Sequence, residues 1–256
     1  PADTFDDAPP AKRVHHESYI KEPSIFNMKP ADDVTKYIAD FISKYCHMEH
    51  VEIEAKLGVL IDKQTNQRIA IDALTETIID PKHARHYRFE SNMALEQHRH
   101  FNKILNDLVN KSQARDYKAS PSRQKWRVTT DKDGKIVPNG VIEKQRVADL
   151  NIHAPNQPLD YRISINLEKP RPKPNSTHSF ERNKDRISYQ HGNIAFDLTQ
   201  VKGTDDTRHE LELEYADASL LAQEYAKYNR KEASQYTQMI EVLMNNIRLL
   251  SRSALK

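Results

Sequence analysis

The fold is decided by the stretch VEIEAKLGV at residues 51–59, in which apolar and charged side chains alternate. Such alternation is typical of a β-strand with one apolar and one polar face. It returns in RISINLE at residues 162–168 and in HELELEY at residues 209–215. Together with weaker stretches, it predicts nine mostly antiparallel strands, at about 51–59, 69–79, 86–90, 123–130, 141–147, 162–168, 184–190, 193–200 and 209–215.

Helical periodicity is found in three stretches. The first begins after residues 32–33 and ends near Cys46, the second follows residues 91–92, and the third occupies the C-terminus after the capping residue Asp217. Their apolar stripes are suited to covering the apolar side of a sheet. The sequence therefore predicts a mainly β protein with flanking helices.

The composition excludes several functional classes. With 39 basic and 37 acidic side chains the net charge is +2, which argues against a protein that coats duplex nucleic acid. The 5 glycines stand too far apart for a Rossmann or P-loop motif. The single Cys46 excludes an internal disulfide framework and favours a reducing, intracellular compartment. Because no apolar run approaches the roughly 18 residues of a membrane span, we expect no membrane contact.

The N-terminal stretch differs in composition from the rest of the chain. Residues 1–31 hold five of the 13 prolines and are predicted to be a Pro-rich leader arm. We predict a single domain at residues 32–256, with the C-terminal helix at its end. That helix carries more apolar surface than the core of a single copy needs. The excess predicts a homodimer through Tyr225, Tyr228, Tyr236 and Met239.

The polar faces of the predicted strands are segregated by charge. Glu52 and Glu54 form one column of carboxylates, and residues 210–214 supply a second column of three. The neighbouring strands carry cations, namely Arg127, Lys144, Lys184 and Arg186. Same-face neighbours lie about 6.6 to 7 Å apart in a strand, so each column repels itself. A bound hard cation, Mg²⁺ or Mn²⁺, is expected to neutralise the carboxylates.

About eight such strands can close into a barrel that leaves no free edge. If the apolar faces look outward and are covered by helices, the polar faces line a tunnel. Carboxylates on one wall and cations on the others suit phosphoryl transfer. A non-catalytic barrel that binds single-stranded RNA or polyphosphate is the alternative, although it offers no use for the glutamate columns.

Five motifs in order resemble the fungal and viral mRNA-capping branch of the triphosphate tunnel metalloenzymes. They are E-x-E-x-K at 52–56, NLE at 166–168, ERNKDRISY at 181–189, FDLT at 196–199 and the glutamate strand at 210–214. The resemblance spans residues 51–215 and is greatest to the fungal RNA 5′-triphosphatase, the β subunit of the capping enzyme. It implies a closed eight-stranded antiparallel β-barrel that forms a polar tunnel, with helices packed outside.

The resemblance also implies roles for single residues. The metal ligands would be Glu52, Glu54 and Glu214, and the γ-phosphate contacts Arg127, Lys184, Arg186 and Lys144. Glu168 resembles the residue that positions or deprotonates the attacking water, assisted by Glu210 or Glu212. Asp197 resembles an acid that holds a basic side chain in place. Ala195 stands where the fungal pattern often has an arginine, so the partners of Asp197 are left open.

The implied activity is metal-dependent hydrolysis of the γ-phosphate of triphosphate-ended nascent mRNA, the first step of cap formation. Nucleoside triphosphates, with manganese, and tripolyphosphate stay open as further substrates. The resemblance implies a nuclear protein that contacts the phosphorylated tail of RNA polymerase II. It also implies functional coupling to a guanylyltransferase, with direct contact left open.

Overall fold

A computed structural model describes residues 23–30, 32–121, 126–175, 182–203 and 206–256. Most of the predicted leader lies outside these residues. Asp33–Lys256 forms one of the two units into which the chain divides. Within the described part, no helix combines the length and the hydropathy of a membrane span.

The described residues contain four α-helices, α1 (Asp33–Ser43), α2 (Leu95–Leu108), α3 (Ala218–Asn229) and α4 (Tyr236–Ser253), and a 3₁₀ helix at Pro81–His86. The prediction of one C-terminal helix is wrong, because the chain turns between α3 and α4. Lys231 adopts a left-handed conformation with φ of 61°, which a continuous helix does not allow. The Glu224 carboxylate accepts a hydrogen bond from Gln235 N at 2.7 Å and stabilises this turn.

The described residues form one sheet of ten strands. They are β1 (Val51–Asp62), β2 (Thr77–Ile78), β3 (Tyr87–Glu90), β4 (Ser112–Pro121), β5 (Arg127–Thr130), β6 (Ile136–His153), β7 (Asp160–Pro170), β8 (Arg182–His191), β9 (Ile194–Lys202) and β10 (Thr207–Tyr215). Neighbouring strands are antiparallel in the order β10-β9-β8-β4-β5-β6-β7-β1-β3, and β2 pairs with β6. In addition, β1 pairs with β10, with Glu54 opposite Glu214.

The mainly β fold with flanking helices is confirmed, but the sheet has ten strands, so the closed eight-stranded barrel is not supported as predicted. Two strands are short additions: β2 joins β6, and β3 joins the last four residues of β1. The sequence missed β4, because SQARDYKASP at 112–121 lacks a regular alternation. The predicted strand at 69–79 shrinks to Thr77–Ile78.

The helices cover the apolar face of the sheet. Ile53, Ala55 and Leu57 of β1 are fully or almost fully buried, as are Ile240, Leu243 and Ile247 of α4, and all six belong to one apolar core. Burying one such large aliphatic side chain contributes about 1.5 to 3 kcal/mol. Stability therefore comes mainly from the layer between sheet and helices, which leaves the other face of the strands to polar side chains.

Candidate active site

The pairing of β1 with β10 brings two glutamate columns together on the polar face. Glu52 and Glu54 come from β1, and Glu214 lies opposite Glu54 on β10. One carboxylate oxygen from each of the three lies within 4.8 Å of the others. We call these three residues the acidic cluster. Glu54 is 3% exposed, so its charge is poorly screened by water.

A buried amide links the two β1 carboxylates of the acidic cluster. Asn166 on β7 lies opposite Glu52 in the strand register. Its Nδ2 donates to Glu52 Oε2 at 3.0 Å and to Glu54 Oε1 at 2.9 Å. The sequence placed Asn166 within a motif but assigned it no role, because only the register of β1 and β7 shows that it reaches both glutamates.

Two lysines also contact the acidic cluster. Lys144 Nζ lies 2.5 Å from Glu52 and 3.6 Å from Glu54, and Lys56 Nζ lies 3.1 Å from Glu54 and 2.5 Å from Glu212. Burial lowers the pKa of both lysines, but the surrounding carboxylates outweigh it and raise both pKa values above the ordinary range. Both lysines are therefore charged. The sequence had predicted Lys144 as a site residue but not Lys56.

The predicted phosphate contacts Arg127, Lys184 and Arg186 lie on β5 and β8. Arg186 donates from Nη1 to Asp197 Oδ2 at 2.5 Å, and Arg127 Nη1 lies 3.8 Å from Glu168 Oε1. Burial, together with the nearby charges of Arg127 and Arg186, lowers the pKa of Lys184 to about 8. The three cations therefore act on a common space, where an anion would relieve their repulsion.

Asp197 is hydrogen-bonded through both of its carboxylate oxygens. Its two carboxylate oxygens accept hydrogen bonds from Ser188 Oγ at 2.6 Å and from Arg186 Nη1. Arg186 also donates from Nε to Thr199 Oγ1 at 2.9 Å. Ala195, which is paired with Glu214 in the register, adds no charge there. Asp197 and Thr199 thus hold the Arg186 guanidinium in one orientation.

The remaining glutamates of β10 have different surroundings. Burial raises the pKa of Glu212, but the charges of Lys56 and Arg186 outweigh it and lower the pKa to about 2. Glu210 instead accepts a hydrogen bond from the neutral Ser91 hydroxyl at 2.8 Å. Glu214 behaves in the opposite way to Glu212, since burial and then the charges of Asp197 and Glu52 raise its pKa to about 8.

The chemistry of the acidic cluster fits a hard divalent cation. Three convergent carboxylates supply the oxygen ligands that Mg²⁺ and Mn²⁺ take. Burial raises the pKa of Glu54. The negative charge of the nearby Glu212 raises it further, because the two carboxylates repel each other. In the described part of the chain, this is the only group of three such ligands that converges in this way.

A family model described as mRNA capping enzyme, beta chain, matches residues 28–256. The chain belongs to this family. The β subunit of the mRNA-capping enzyme of Schizosaccharomyces pombe is 35% identical to it, over 90% of this chain and 84% of the relative. The corresponding subunit of Cryptococcus neoformans is 31% identical, over 90% of this chain and 64% of the relative.

Solved structures agree with the family. The RNA triphosphatase of S. pombe superposes on this chain with a TM-score of 0.86 at 32% identity, covering 91% of this chain and 98% of that one. The same S. pombe enzyme has also been solved in complex with the Spt5 CTD, with the same TM-score. The family and the enzyme class predicted from the sequence, an RNA 5′-triphosphatase of mRNA capping, are confirmed.

Proposed function

We propose that this protein hydrolyses the γ-phosphate of triphosphate-ended RNA inside a polar tunnel. The proposal is supported above all by the acidic cluster, whose carboxylates converge within 4.8 Å, and also by Arg127, Lys184 and Arg186, which lie close enough for their charges to act on one another. We further propose that eight strands, from β10 through β4 to β1, enclose the tunnel, with β2 and β3 outside the ring. The pairing of β1 with both β7 and β10 supports this.

A divalent ion, Mg²⁺ or Mn²⁺, would be held by Glu52, Glu54 and Glu214. Such an ion, when bound, neutralises the carboxylates and polarises the γ-phosphate as a Lewis acid. Asn166 keeps two of the ligands in place, because its amide donates to both. The acidic cluster supports a metal-dependent reaction but does not distinguish Mg²⁺ from Mn²⁺, since both ions prefer oxygen ligands.

The cations stabilise the charge that develops on the γ-phosphoryl oxygens. Arg127, Lys184 and Arg186 do so directly, and Lys144 acts as a fourth contact beside Glu52 and Glu168. Such fixed charges act strongly in a water-poor site. The Arg186 guanidinium is already oriented by Asp197 and Thr199, so little reorganisation is needed when substrate binds.

Glu168 positions the attacking water and accepts its proton, assisted from β10 by Glu210 or Glu212. As the water oxygen bonds to the γ-phosphorus, the bond between that phosphorus and the β–γ bridging oxygen breaks. The products are inorganic phosphate and RNA with a 5′-diphosphate end. Nucleoside triphosphates carry the same reacting group, and we propose that they are hydrolysed with manganese.

A non-catalytic barrel that binds single-stranded RNA or polyphosphate is the second candidate. It accounts for the cations, but the convergent carboxylates would weaken the binding of an anion unless a metal ion lay between them. The deciding measurement is the release of γ-³²P-labelled phosphate from triphosphate-ended RNA, with and without Mg²⁺ or Mn²⁺. Full release in excess chelator would contradict metal dependence, and RNA binding without release under any metal would favour the second candidate.

The assembly and cellular context follow from the family and are also proposals. We propose a homodimer, which light scattering at micromolar concentration tests directly. The S. pombe relative in complex with the Spt5 CTD supports contact with a CTD peptide, and we propose the phosphorylated tail of RNA polymerase II as such a partner. Nuclear action and functional coupling to the guanylyltransferase follow from a role in capping. We also propose residues 1–31 as a Pro-rich leader arm and residues 32–256 as the single triphosphatase domain.

A further inference from the structure

The segment at residues 91–93, between β3 and α2, is fastened to the start of β10 by three hydrogen bonds. His209 N donates to Asn92 Oδ1 at 3.0 Å, and Met93 N donates to His209 O at 3.0 Å. The third bond is different, because Ser91 Oγ donates at 2.8 Å to the Glu210 side chain on the polar face. Two bonds therefore attach the segment to backbone, and one reaches a carboxylate of the candidate active site.

The surroundings of Glu210 and Glu212 separate their possible roles. Glu212 is paired through one carboxylate oxygen with Lys56 at 2.5 Å and through the other with Arg186 at 3.7 Å. A carboxylate held between two cations in this way acts mainly as their counter-charge. The donor on Glu210 is instead a neutral hydroxyl, which orients the carboxylate without pairing it with a cation.

We propose that Ser91 is a positioning residue for the Glu210 carboxylate. Because a carboxylate is planar, a hydrogen bond to Oε1 also sets the direction of Oε2. Glu210 thereby keeps its charge directed into the space shared with Lys184. The charge of Glu210 acts to raise the pKa of Lys184. The inference rests on the proposed function, in which Glu210 or Glu212 assists at the attacking water, and it selects Glu210.

The test compares Ser91→Ala with Asn92→Ala, which removes a hydrogen bond of the same segment to the same strand without touching a carboxylate. We expect Ser91→Ala to lower kcat for γ-phosphate release by about 10- to 100-fold, the range expected for a misplaced catalytic group. KM and the melting temperature should stay at the wild-type values. Ser91→Thr keeps the hydroxyl and should restore most of the turnover, whereas Asn92→Ala should retain the wild-type kcat.

Equal losses of kcat in Ser91→Ala and Asn92→Ala would overturn the inference, because the segment would then act only as a fastener. A double-mutant cycle with Glu210→Gln completes the test. If Ser91 acts through Glu210, Ser91→Ala should have no further effect in the Glu210→Gln background. If Glu210→Gln is impaired while Ser91→Ala is fully active, the inference about Ser91 is overturned but the assisting role of Glu210 is not. Wild-type turnover in Glu210→Gln would overturn both the inference and the assisting role of Glu210.

Discussion

Two buried groups of charged residues, the acidic cluster and the group around Asp160, differ in what surrounds their carboxylates. Asp160 is fully buried at the start of β7. It accepts hydrogen bonds from Arg68 and from the backbone nitrogens of Leu60 and Ala154, and His153 Nδ1 lies 2.8 Å away. In the acidic cluster, carboxylates instead face one another, and Asn166 with two lysines supplies the donors.

This difference is visible in the pKa values. Burial raises the pKa of Asp160, but the hydrogen bonds from His153 and Arg68 outweigh it and lower the pKa overall. Burial and neighbouring acids raise the pKa of Glu214 to about 8. A fully satisfied buried carboxylate stabilises the fold, whereas crowded carboxylates destabilise it and are retained for binding. We therefore expect substitutions to affect stability in one group and activity in the other.

The largest effect is expected in the acidic cluster. Glu52→Gln and Glu214→Gln keep the shape of the side chain but remove a proposed metal ligand, and should lower γ-phosphate release by about 10³-fold or more. The melting temperature of Glu214→Gln without metal should equal or exceed that of the wild type, since the repulsion that raises the pKa of Glu214 is relieved. Glu143→Gln, on the outer side of β6, is the matched control. Wild-type turnover in either cluster variant would contradict the assignment.

Asp160→Asn should have the converse effect. The amide turns an NH₂ group towards donors that the carboxylate had accepted from, and Arg68, which is partly buried, loses its carboxylate partner but keeps its bonds to Gln157 O and Ala154 O. The loss should destabilise the fold by about 1 to 3 kcal/mol. Urea unfolding measures this loss, and turnover per folded molecule should not change. Asp185→Asn, in the exposed pair with Lys202, is the control and should change stability by no more than about 1 kcal/mol. A stable but inactive Asp160→Asn would reverse the comparison.

The cations Arg127, Lys184 and Arg186 should each matter for turnover. Alanine at any of the three removes one proposed electrostatic contact to the γ-phosphate and should lower kcat by about 10² to 10³. Lysine at 127 or 186 should restore little if the guanidinium contact is bidentate. Arg171→Ala, on the outer face beside Glu143, is the control. If all three alanine variants turned over normally, these residues would lie outside the site.

Asn166→Leu sharpens the comparison within the acidic cluster. Leucine keeps the branched shape of the side chain but removes both hydrogen bonds to the glutamates, so metal affinity should fall by about 10- to 100-fold. Titration calorimetry with Mn²⁺ measures this without reference to activity. Asn151→Leu, another buried asparagine whose partner is Arg162, should bind Mn²⁺ as the wild type does. Unchanged affinity in Asn166→Leu would limit the residue to a structural role.

The smallest effect concerns acid stability. The folded pKa of Asp160 lies below its unfolded value of about 3.9, so its contribution to stability is fully present above that pH. The contribution is lost as the pH falls through the lower, folded pKa, because the unfolded chain binds the proton first. Urea unfolding between pH 5 and pH 3 should show a shallower loss for Asp160→Asn than for the wild type. Parallel curves would show that other carboxylates dominate.

Much of the fold could be predicted from alternation alone. The glutamate columns on β1 and β10 follow from the period of a strand, which places every second side chain on one face. Other parts could not be predicted in this way. The strand β4 lacks alternation, and the apolar residues of α3 and α4 suggested one helix, although residues 230–235 lie between the two and Lys231 has a positive φ.

The sequence by itself determined which side chains share a polar face, because that depends only on the two-residue period within each strand. The tertiary structure decided which faces meet. The register that places Glu54 opposite Glu214, the reach of Asn166 to two glutamates, and the bond from Ser91 to Glu210 join residues more than a hundred positions apart. No local pattern encodes such contacts, since they depend on how the whole sheet pairs and packs under its helices.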